Sequence, residues 1–452
     1  MFLPKNVLMV LEKLNNAGYE SYVVGGAVRD YVMGLPPHDY DVTTSALPEE
    51  IKRIFPEHFA LGEKFGTISV ITDTEPIEVT TFRKDSDYSD GRHPDKIEFV
   101  TSVFDDLCRR DFTMNAIAFN PNTGFVDPFN GISDIENKLI RCVNNPIDRF
   151  NEDGLRILRA ARFAAKLGFE IEDRTLLAMK NTINMLDCVA EERIGPEFVK
   201  ILMSDHAEKT LHDYSFVIKK IIPEYRRVLR CKQNNPHHIY NLEGHTLKVI
   251  EGVPKKEIVK LAAFFHDIGK PYVMVRDKNG IEHFPGHAGK GAELTEEIMA
   301  RLRFSCKEIK DVAALVKYHD SFWEPTKRTT KNLLSKLGDE LFFDIVELRK
   351  ADINAQAAKD DNSIETLMMF YHQIKEENAA ITLKDLAING HDLMEKFNIK
   401  PSPLFGKILN GLLELVLDEK IENNKEVLLL EAASILEKEK DCWNFQQSFL
   451  LC

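Results

Sequence analysis

The sequence predicts an α+β protein: a head of mixed strands and helices over residues 1–145, followed by helical regions to the end of the chain. Three observations carry this. Short β-rich runs (Ser69-Val70-Ile71, Ile77–Thr81 and Ala116–Phe119) are confined to the head and closed by Pro, Asn and Gly. From Asn151 onward apolar residues recur at i, i+3 and i+4, with few β-branched runs. At 452 residues the chain exceeds what one core serves and points to about three domains.

Phe2 to Tyr19 sets Val7, Leu8, Leu11 and Leu14 on one helical face among Lys5, Glu12 and Lys13, an amphipathic helix rather than a signal peptide. Tyr22-Val23-Val24-Gly25-Gly26-Ala27-Val28-Arg29-Asp30 reads as a buried strand, a glycine turn and a helix start. The two glycines permit positive φ and a close approach of backbone to a ligand. Asp39-Tyr40-Asp41-Val42-Thr43 alternates as a strand does, which brings Asp39 and Asp41 to one face. Adjacent carboxylates repel unless a cation lies between them, and hard oxygen donors suit Mg²⁺. A surface turn with two solvated aspartates is the alternative. On Ile77-Glu78-Val79 the alternation turns Glu78 away from the core.

The polar run Phe82 to Pro94, containing Arg83, Gly91 and Arg92, reads as a mobile loop. Asn151-Glu152-Asp153 has the look of a helix N-terminus, with an Asn cap and acids at the positive dipole end. Asp153, Arg156, Arg159 and Arg162 then share one face, while Leu155, Leu158 and Ala161 face the core. A surface ion-pair ladder produces the same stripe. Asn235-Pro236-His237-His238 reads as a joint, and Gly390 and Pro401-Ser402-Pro403 break the last helical region. The expected regions are 1–145, 146–235, 236–360 and 361–452.

Composition narrows the setting. Hydrophobic residues make up 44% and charged residues 29%, as in a globular protein. No uncharged apolar run approaches the roughly 18 residues of a membrane helix. The seven cysteines, Cys108, Cys142, Cys188, Cys231, Cys306, Cys442 and Cys452, are scattered and without a CxxC pair. That favours reduced thiols in a cytoplasm over disulfides or a zinc ribbon. The net charge of −13 disfavours indiscriminate nucleic-acid binding, so any basic face is local. Lys219, Lys220, Arg226, Arg227, Arg230 and Lys232 form the densest basic stretch.

Five stretches occur in order: Gly25-Gly26-Ala27-Val28-Arg29-Asp30, Asp39-Tyr40-Asp41, Arg109-Arg110-Asp111-Phe112-Thr113-Met114-Asn115-Ala116, Glu152-Asp153-Gly154-Leu155-Arg156 and Glu192-Arg193-Ile194. Together they resemble the polymerase-β-like nucleotidyltransferases, and more narrowly the class II group of bacterial tRNA CCA-adding enzymes and poly(A) polymerases. Residues 386–430 resemble the same group, extending the likeness over nearly the whole chain. The resemblance implies a nucleotidyltransferase head followed by helical neck, body and tail.

It also implies roles. Asp39 and Asp41, joined by Glu78, hold Mg²⁺ for attack of an RNA 3′-hydroxyl on the α-phosphate of a nucleoside triphosphate. Gly25, Gly26 and Arg29 take the triphosphate, with Asp30 functional or structural. Arg110, Asp111 and Asn115 orient ribose and phosphates; capping of nearby N–H groups by Asp111 is the alternative. Asp153 and Arg156 read the base edge, with Arg159 and Arg162 continuing the nucleotide face and Glu152 bracing Arg156. The Lys84–Pro94 loop favours complete CCA addition over CC addition alone.

A second constellation comprises His245, His266-Asp267, His287, His319 and Asp352. It resembles an HD-type metal-dependent phosphohydrolase centre, with His245, His266, Asp267 and Asp352 as core ligands and His287 and His319 for a second metal. Imidazole with carboxylate suits Mn, Fe, Ni, Co or Zn. The expected activity is CCA addition to tRNA from CTP and ATP. Poly(A) polymerase, CC-only or A-only addition, a phosphohydrolase, and a non-catalytic RNA-binding protein are the alternatives; oligomeric state stays open.

Overall fold

The computed structural model describes residues 1–86, 96–234, 240–321, 325–356, 362–398 and 403–449. Contacts divide the chain into two compact units, Met1–Arg227 with Ile298–Ser305 and Val228–Glu297 with Cys306–Cys452. The joint Asn235–His238, residue Arg92 with most of its loop, and Pro401-Ser402 lie outside the described residues.

In the first unit, α1 (Lys5–Asn16) buries Val7, Val10, Leu11 and Leu14. β1 (Ser21–Val24) leads through Gly25 into α2 (Gly26–Val32), then β2 (Asp41–Thr44) and α3 (Pro48–Ile54). β3 (His58–Gly62), β4 (Thr67–Val70), β5 (Ile77–Thr81), β6 (Arg83–Ser86) and β7 (Lys96–Phe99) precede α4 (Val103–Cys108). β8 (Ala118–Asn120), β9 (Gly124–Val126), α5 (Gly131–Glu136) and β10 (Leu139–Ile140) complete the head. Seven strands form one sheet in the order β3-β4-β5-β2-β1-β8-β9, in which only β2 and β5 run parallel. Tyr22, Val24, Phe82, Leu107, Ala116, Ala118 and Val143 pack beneath it.

Three local expectations are corrected. β2 begins at Asp41, so Asp39 and Tyr40 precede the strand: their partner would be Gly25, which turns away with φ 72°. β6 and β7 pair antiparallel, Arg83 with Phe99 through Ser86 with Lys96, so strand structure occupies the first part of the expected loop and begins again just past its end. Arg83 donates to the Phe65 carbonyl, which pins its root.

The third correction concerns the charged stripe. Asn151 and Glu152 end α6 (Pro146–Glu152), which Asn145 caps by accepting from Ile147 N–H. A new helix, α7 (Leu155–Leu167), starts after Asp153-Gly154. The break is steric and polar together. A Cβ on Gly154 would stand 2.3 Å from the Met185 carbonyl oxygen. Asp153 turns out of the helix and accepts from Leu155 N–H at 3.0 Å.

The unit continues through β11 (Glu170–Ile171), α8 (Asp173–Asn181), α9 (Glu191–Leu202), α10 (Ala207–Asp213), α11 (Ser215–Ile221) and α12 (Tyr225–Val228). α7 buries Ile157, Leu158, Ala161 and Phe163, as the period requires.

The second unit is helical: α13 (Leu242–Gly252), α14 (Glu257–Phe265), α15 (Lys270–Val273), α16 (His287–Arg301), α17 (Cys306–Tyr318) and α18 (Lys327–Asn354), with a small β12 (Val275–Arg276) and β13 (Glu282–His283) ribbon. α19 (Ser363–Glu376), α20 (Gly390–Phe397), α21 (Pro403–Leu417) and α22 (Lys425–Phe449) follow. The last three pack around Leu393, Ile408, Leu412 and Leu428. Among the described residues no helix is long and apolar enough to cross a membrane.

Candidate active site

At the end of β1, Gly25 adopts φ 72° and ψ −131°, a conformation that only glycine enters cheaply. A Cβ there would lie 3.3 Å from Arg110 Nη1 and 3.9 Å from Asp41 Oδ2, so the turn also clears room for the site. The parallel register Val42–Val79 sets Asp41 and Glu78 at neighbouring positions on β2 and β5. Burial raises the Asp41 carboxyl above its usual pKa; Glu78 and Asp39 add to this and Arg110 opposes it. The three acids therefore feel one another, and a cation among them would favour ionised Asp41. Their hard oxygens fit a divalent ion.

Arg109 and Arg110 follow α4 and are anchored by Asp106, which is fully buried. Arg109 Nε donates to Asp106 Oδ1 at 2.9 Å and Arg110 Nη2 to Oδ2 at 3.3 Å. Burial alone would raise the Asp106 carboxyl, yet the two guanidiniums hold it below the usual range. Asp106 went unnoticed in the sequence, although its i−3 and i−4 spacing to the arginines was a usable signal.

A polar relay then crosses the site. Arg29 gives Nε and Nη2 to Asp30 Oδ1 at 2.9 and 2.6 Å, and Nη1 to Asn115 Oδ1 at 2.8 Å. Asn115 Nδ2 donates to Asp111 Oδ1 at 3.0 Å, as does Phe112 N–H at 2.8 Å. Arg159 closes on Asp111 Oδ2 with Nε at 2.9 Å and Nη2 at 2.6 Å. Burial opposes ionisation of Asp111, but Arg159, Asn115 and Phe112 N–H bring its pKa down to about 2. Asp111 thus makes the local N–H contact expected of a cap and the ion pair as well. Asp30 serves Arg29.

At the far end, Arg193 Nη1 and Nη2 meet Asp153 Oδ1 and Oδ2 at 3.2 and 2.9 Å. Arg156 Nη1 donates to Glu152 Oε2 at 2.5 Å and to the Arg149 carbonyl, and Nη2 to the Arg109 carbonyl. Glu152 thus touches Arg156, and it also pairs with Arg149. Arg162 pairs with Glu197 at 2.5 Å.

Gly25, Gly26, Arg29, Asp41, Arg110, Asp111, Asn115, Asp153, Arg156, Arg159 and Arg162 all line one cavity of about 580 Å³. Arg83, Arg109, Lys166 and Arg193 join them, giving nine cationic side chains against three aspartates. Asp39 and Glu78 are outside that lining. In a chain of net charge −13, this is where the positive charge is concentrated. The basic stretch farther on is less uniform. Lys220 on α11 is tied to Asp187 at 2.5 Å, whereas Arg226 and Arg227 are exposed.

The second unit gathers all six residues of the histidine constellation. His245 Nε2 lies 3.1 Å from Asp352 Oδ1 and 3.2 Å from His266 Nε2. His266 Nε2 is 3.1 Å from Asp267 Oδ2, and His287 and His319 lie 3.4 and 3.7 Å from Asp267 Oδ1. Two groups, His245–His266–Asp267 and Asp267–His287–His319, each bring their ligand atoms within 4.8 Å and share Asp267. Nδ1 of His266, His287 and His319 contacts the carbonyl three residues back in each case, at 2.8, 3.0 and 2.6 Å. Such contacts fix the tautomer and turn the Nε2 lone pairs inward, as metal-binding imidazoles require. Arg349 and Gln356 hold Asp352, and Lys270 reaches Asp267 Oδ2 at 2.7 Å. Burial opposes ionisation of Asp267, but His266 and Lys270 keep it well below the usual range. The donor set fits a transition metal.

Comparison with known proteins finds matches along most of the chain. Residues 21–141 match the "Poly A polymerase head domain", residues 168–215 the "Probable RNA and SrmB- binding site of polymerase A", and residues 287–432 a tRNA nucleotidyltransferase domain 2. The CCA-adding enzyme of Streptococcus mutans is 31% identical over 441 residues, covering 94% of this chain and 96% of that protein. That of Limosilactobacillus reuteri is 33% identical over 434 residues, covering 94% and 95%. The crystal structure of Bacillus stearothermophilus CCA-adding enzyme in complex with CTP superposes with a TM-score of 0.69 at 26% identity, covering 98% of this chain and all of that one. The Thermotoga maritima CCA-adding enzyme complexed with tRNA shares the fold, with a TM-score of 0.58 at 20% identity and 96% coverage of each chain. With its glycine turn, Asp41 and cation-lined cavity in place, the chain belongs to the CCA-adding enzymes, a family of divalent-metal-dependent tRNA nucleotidyltransferases.

Proposed function

We infer that this protein adds C, C and A to the 3′ end of tRNA from CTP and ATP, without a nucleic-acid template. The observation that carries this is that Asp153 and Arg156 line the same cation-lined cavity as Asp41, which stands beside Gly25. The RNA 3′-hydroxyl attacks the α-phosphorus. A new O–P bond forms as the bond to the β-phosphate breaks; pyrophosphate leaves and the hydroxyl proton passes to solvent. Mg²⁺ held by Asp39, Asp41 and Glu78 would acidify that hydroxyl and neutralise the leaving group.

The chain's own residues do the rest. Asp153 accepts from the exocyclic amine that cytosine and adenine share, and Arg156 donates to the neighbouring ring acceptor. Uracil and guanine present a carbonyl there, leaving Asp153 without a donor, which costs about 1–3 kcal/mol. The four acceptor sites of Asp111 are filled within the protein, whereas Asn115 keeps one N–H for a ribose 2′-hydroxyl. Gly25, Gly26, Arg29, Arg110, Arg159 and Arg162 surround the triphosphate. We assign residues 1–145 to the catalytic head, 146–235 to neck and body, 236–360 to an HD-type metal region and 361–452 to the tail, and place the enzyme in the cytoplasm. The test offers tRNA lacking CCA, and tRNA ending in CC, with each single labelled nucleotide. CMP on the first and AMP on the second support this reading; AMP tailing of any RNA end indicates a poly(A) polymerase.

A second activity is favoured by one observation, the two ligand groups that share Asp267. We read this centre as a phosphohydrolase in which His245, His266, Asp267 and Asp352, with His287 and His319, would hold a transition metal whose chemistry would be activation of water toward a phosphate ester.

A further inference from the structure

Three guanidiniums of the nucleotide cavity converge on one aromatic ring. Arg162 Cζ lies 4.1 Å from the Phe163 centroid, Arg29 Cζ 5.4 Å and Arg159 Cζ 5.6 Å. Phe163 is 4% exposed, lines the cavity, and is held edge-on by Phe112 at 5.7 Å and 82°. Each arginine has a fixed polar partner: Asp30 and Asn115 for Arg29, Asp111 for Arg159, Glu197 for Arg162. Three like charges around one point repel. The ring gives each of them an attractive surface within cation–π range in addition to its polar partner.

We propose that Phe163 is a positioning residue for nucleotide binding: its ring sets the spacing of Arg29, Arg159 and Arg162 so that together they receive the triphosphate. The aromatic quadrupole matters, not just the volume. An aliphatic side chain of similar size fills the space but leaves the guanidiniums to splay toward their carboxylates. The proposal rests on the assignment of this cavity to the triphosphate.

The test replaces Phe163 with leucine, with tyrosine, and with a series of singly to fully fluorinated phenylalanines, which drain charge from the ring face at nearly constant shape. CTP and ATP KM and kcat are measured on tRNA acceptors, and inorganic triphosphate binding is measured by calorimetry. Thermal melting monitors folding. We expect Phe163→Leu to raise both KM values and the Kd for inorganic triphosphate by roughly tenfold, with a much smaller change in kcat. Phe163→Tyr should restore both, and each added fluorine should weaken binding stepwise while the melting temperature holds. Triphosphate affinity that is flat across the fluorinated series would overturn the proposal and leave the ring as packing alone. If the wild type binds inorganic triphosphate but transfers no nucleotide to tRNA, the functional assignment fails while the ring's role stands. If it transfers nucleotide and the series affects only base choice, the positioning role fails while the function stands.

Discussion

Arg193 grips Asp153 at two points, Nη1 to Oδ1 at 3.2 Å and Nη2 to Oδ2 at 2.9 Å. With Leu155 N–H also on Oδ1, three of the roughly four acceptor positions of the carboxylate are taken, and the one left is on Oδ2. A single N–H from a base edge is what that vacancy accepts. Lysine at 193 keeps the charge but not the fork. Arg193→Lys should therefore raise UMP misincorporation by about tenfold, equivalent to about 1.4 kcal/mol. Asp153→Ala should blur selection further, and the double variant should be no worse than Asp153→Ala alone, since both act through one carboxylate. Misincorporation assays with single nucleotides check this; additive losses would separate the two residues.

Asp41→Asn and Asp39→Asn should each cut nucleotidyl transfer by about 10³ or more, because several kcal/mol of transition-state charge stabilisation depend on the metal platform. tRNA affinity by filter binding should stay within about twofold of wild type, since it rests on phosphate contacts elsewhere. Normal CMP and AMP incorporation by either variant would remove the metal assignment.

Asp111 links the head to α7 through Arg159, and its folded pKa of about 2 lies below the ordinary carboxylate value. A depressed pKa means that its stabilisation is complete above the unfolded value near 4 and is lost as pH falls toward about 2. The difference is on the order of 2 kcal/mol. Asp111→Asn should lower the melting temperature at pH 7, with the gap to wild type closing between about pH 4 and pH 2. A gap that does not change with pH would assign the loss to packing.

Shortening the segment between Ser86 and Lys96 should spare addition of two C residues and block the terminal A. β6 and β7 bring both ends of this segment to one place, and Arg83 at its root lines the nucleotide cavity. Length of product on a sequencing gel decides it; equal loss of C and A would argue against a role in switching.

His266→Ala or Asp267→Ala should abolish hydrolysis of a 2′,3′-cyclic nucleotide across a panel of divalent transition metals and leave CMP incorporation intact. The two sites draw on residues of different compact units and on different donor chemistry. Absence of hydrolysis by the wild type with every metal would reduce the centre to a structural one.

Much of this was legible in the residues. Gly25, Asp41 and the strand Ile77–Thr81 sit where alternation and turn chemistry place them, because local sterics decide those features. The six histidine-cluster residues came together from five helices or their ends, an arrangement signalled only by residue type and resemblance. What escaped were effects of distant partners. The helix start expected at Asn151 fell inside α6 because Asn145 and Pro146 cap earlier, and the break at Gly154 is imposed by a carbonyl 31 positions along the chain. Periodicity sees neither. Nor could it show that Arg29 is held in place by Asp30 and Asn115.

Gly154 bears on how substrate choice can change. Its φ of −57° and ψ of −25° suit any residue, so glycine is there for clearance and not for conformation. With 2.3 Å between a notional Cβ and the Met185 oxygen, even alanine would lever the start of α7 away from its seat. The backbone joining Asp153 and Arg156, to which we assign base reading, is therefore a datum that natural drift and protein engineering alike must leave untouched. New nucleotide preferences have to be written in the side chains at 153, 156 and 193, and the vocabulary for rewriting them is correspondingly small.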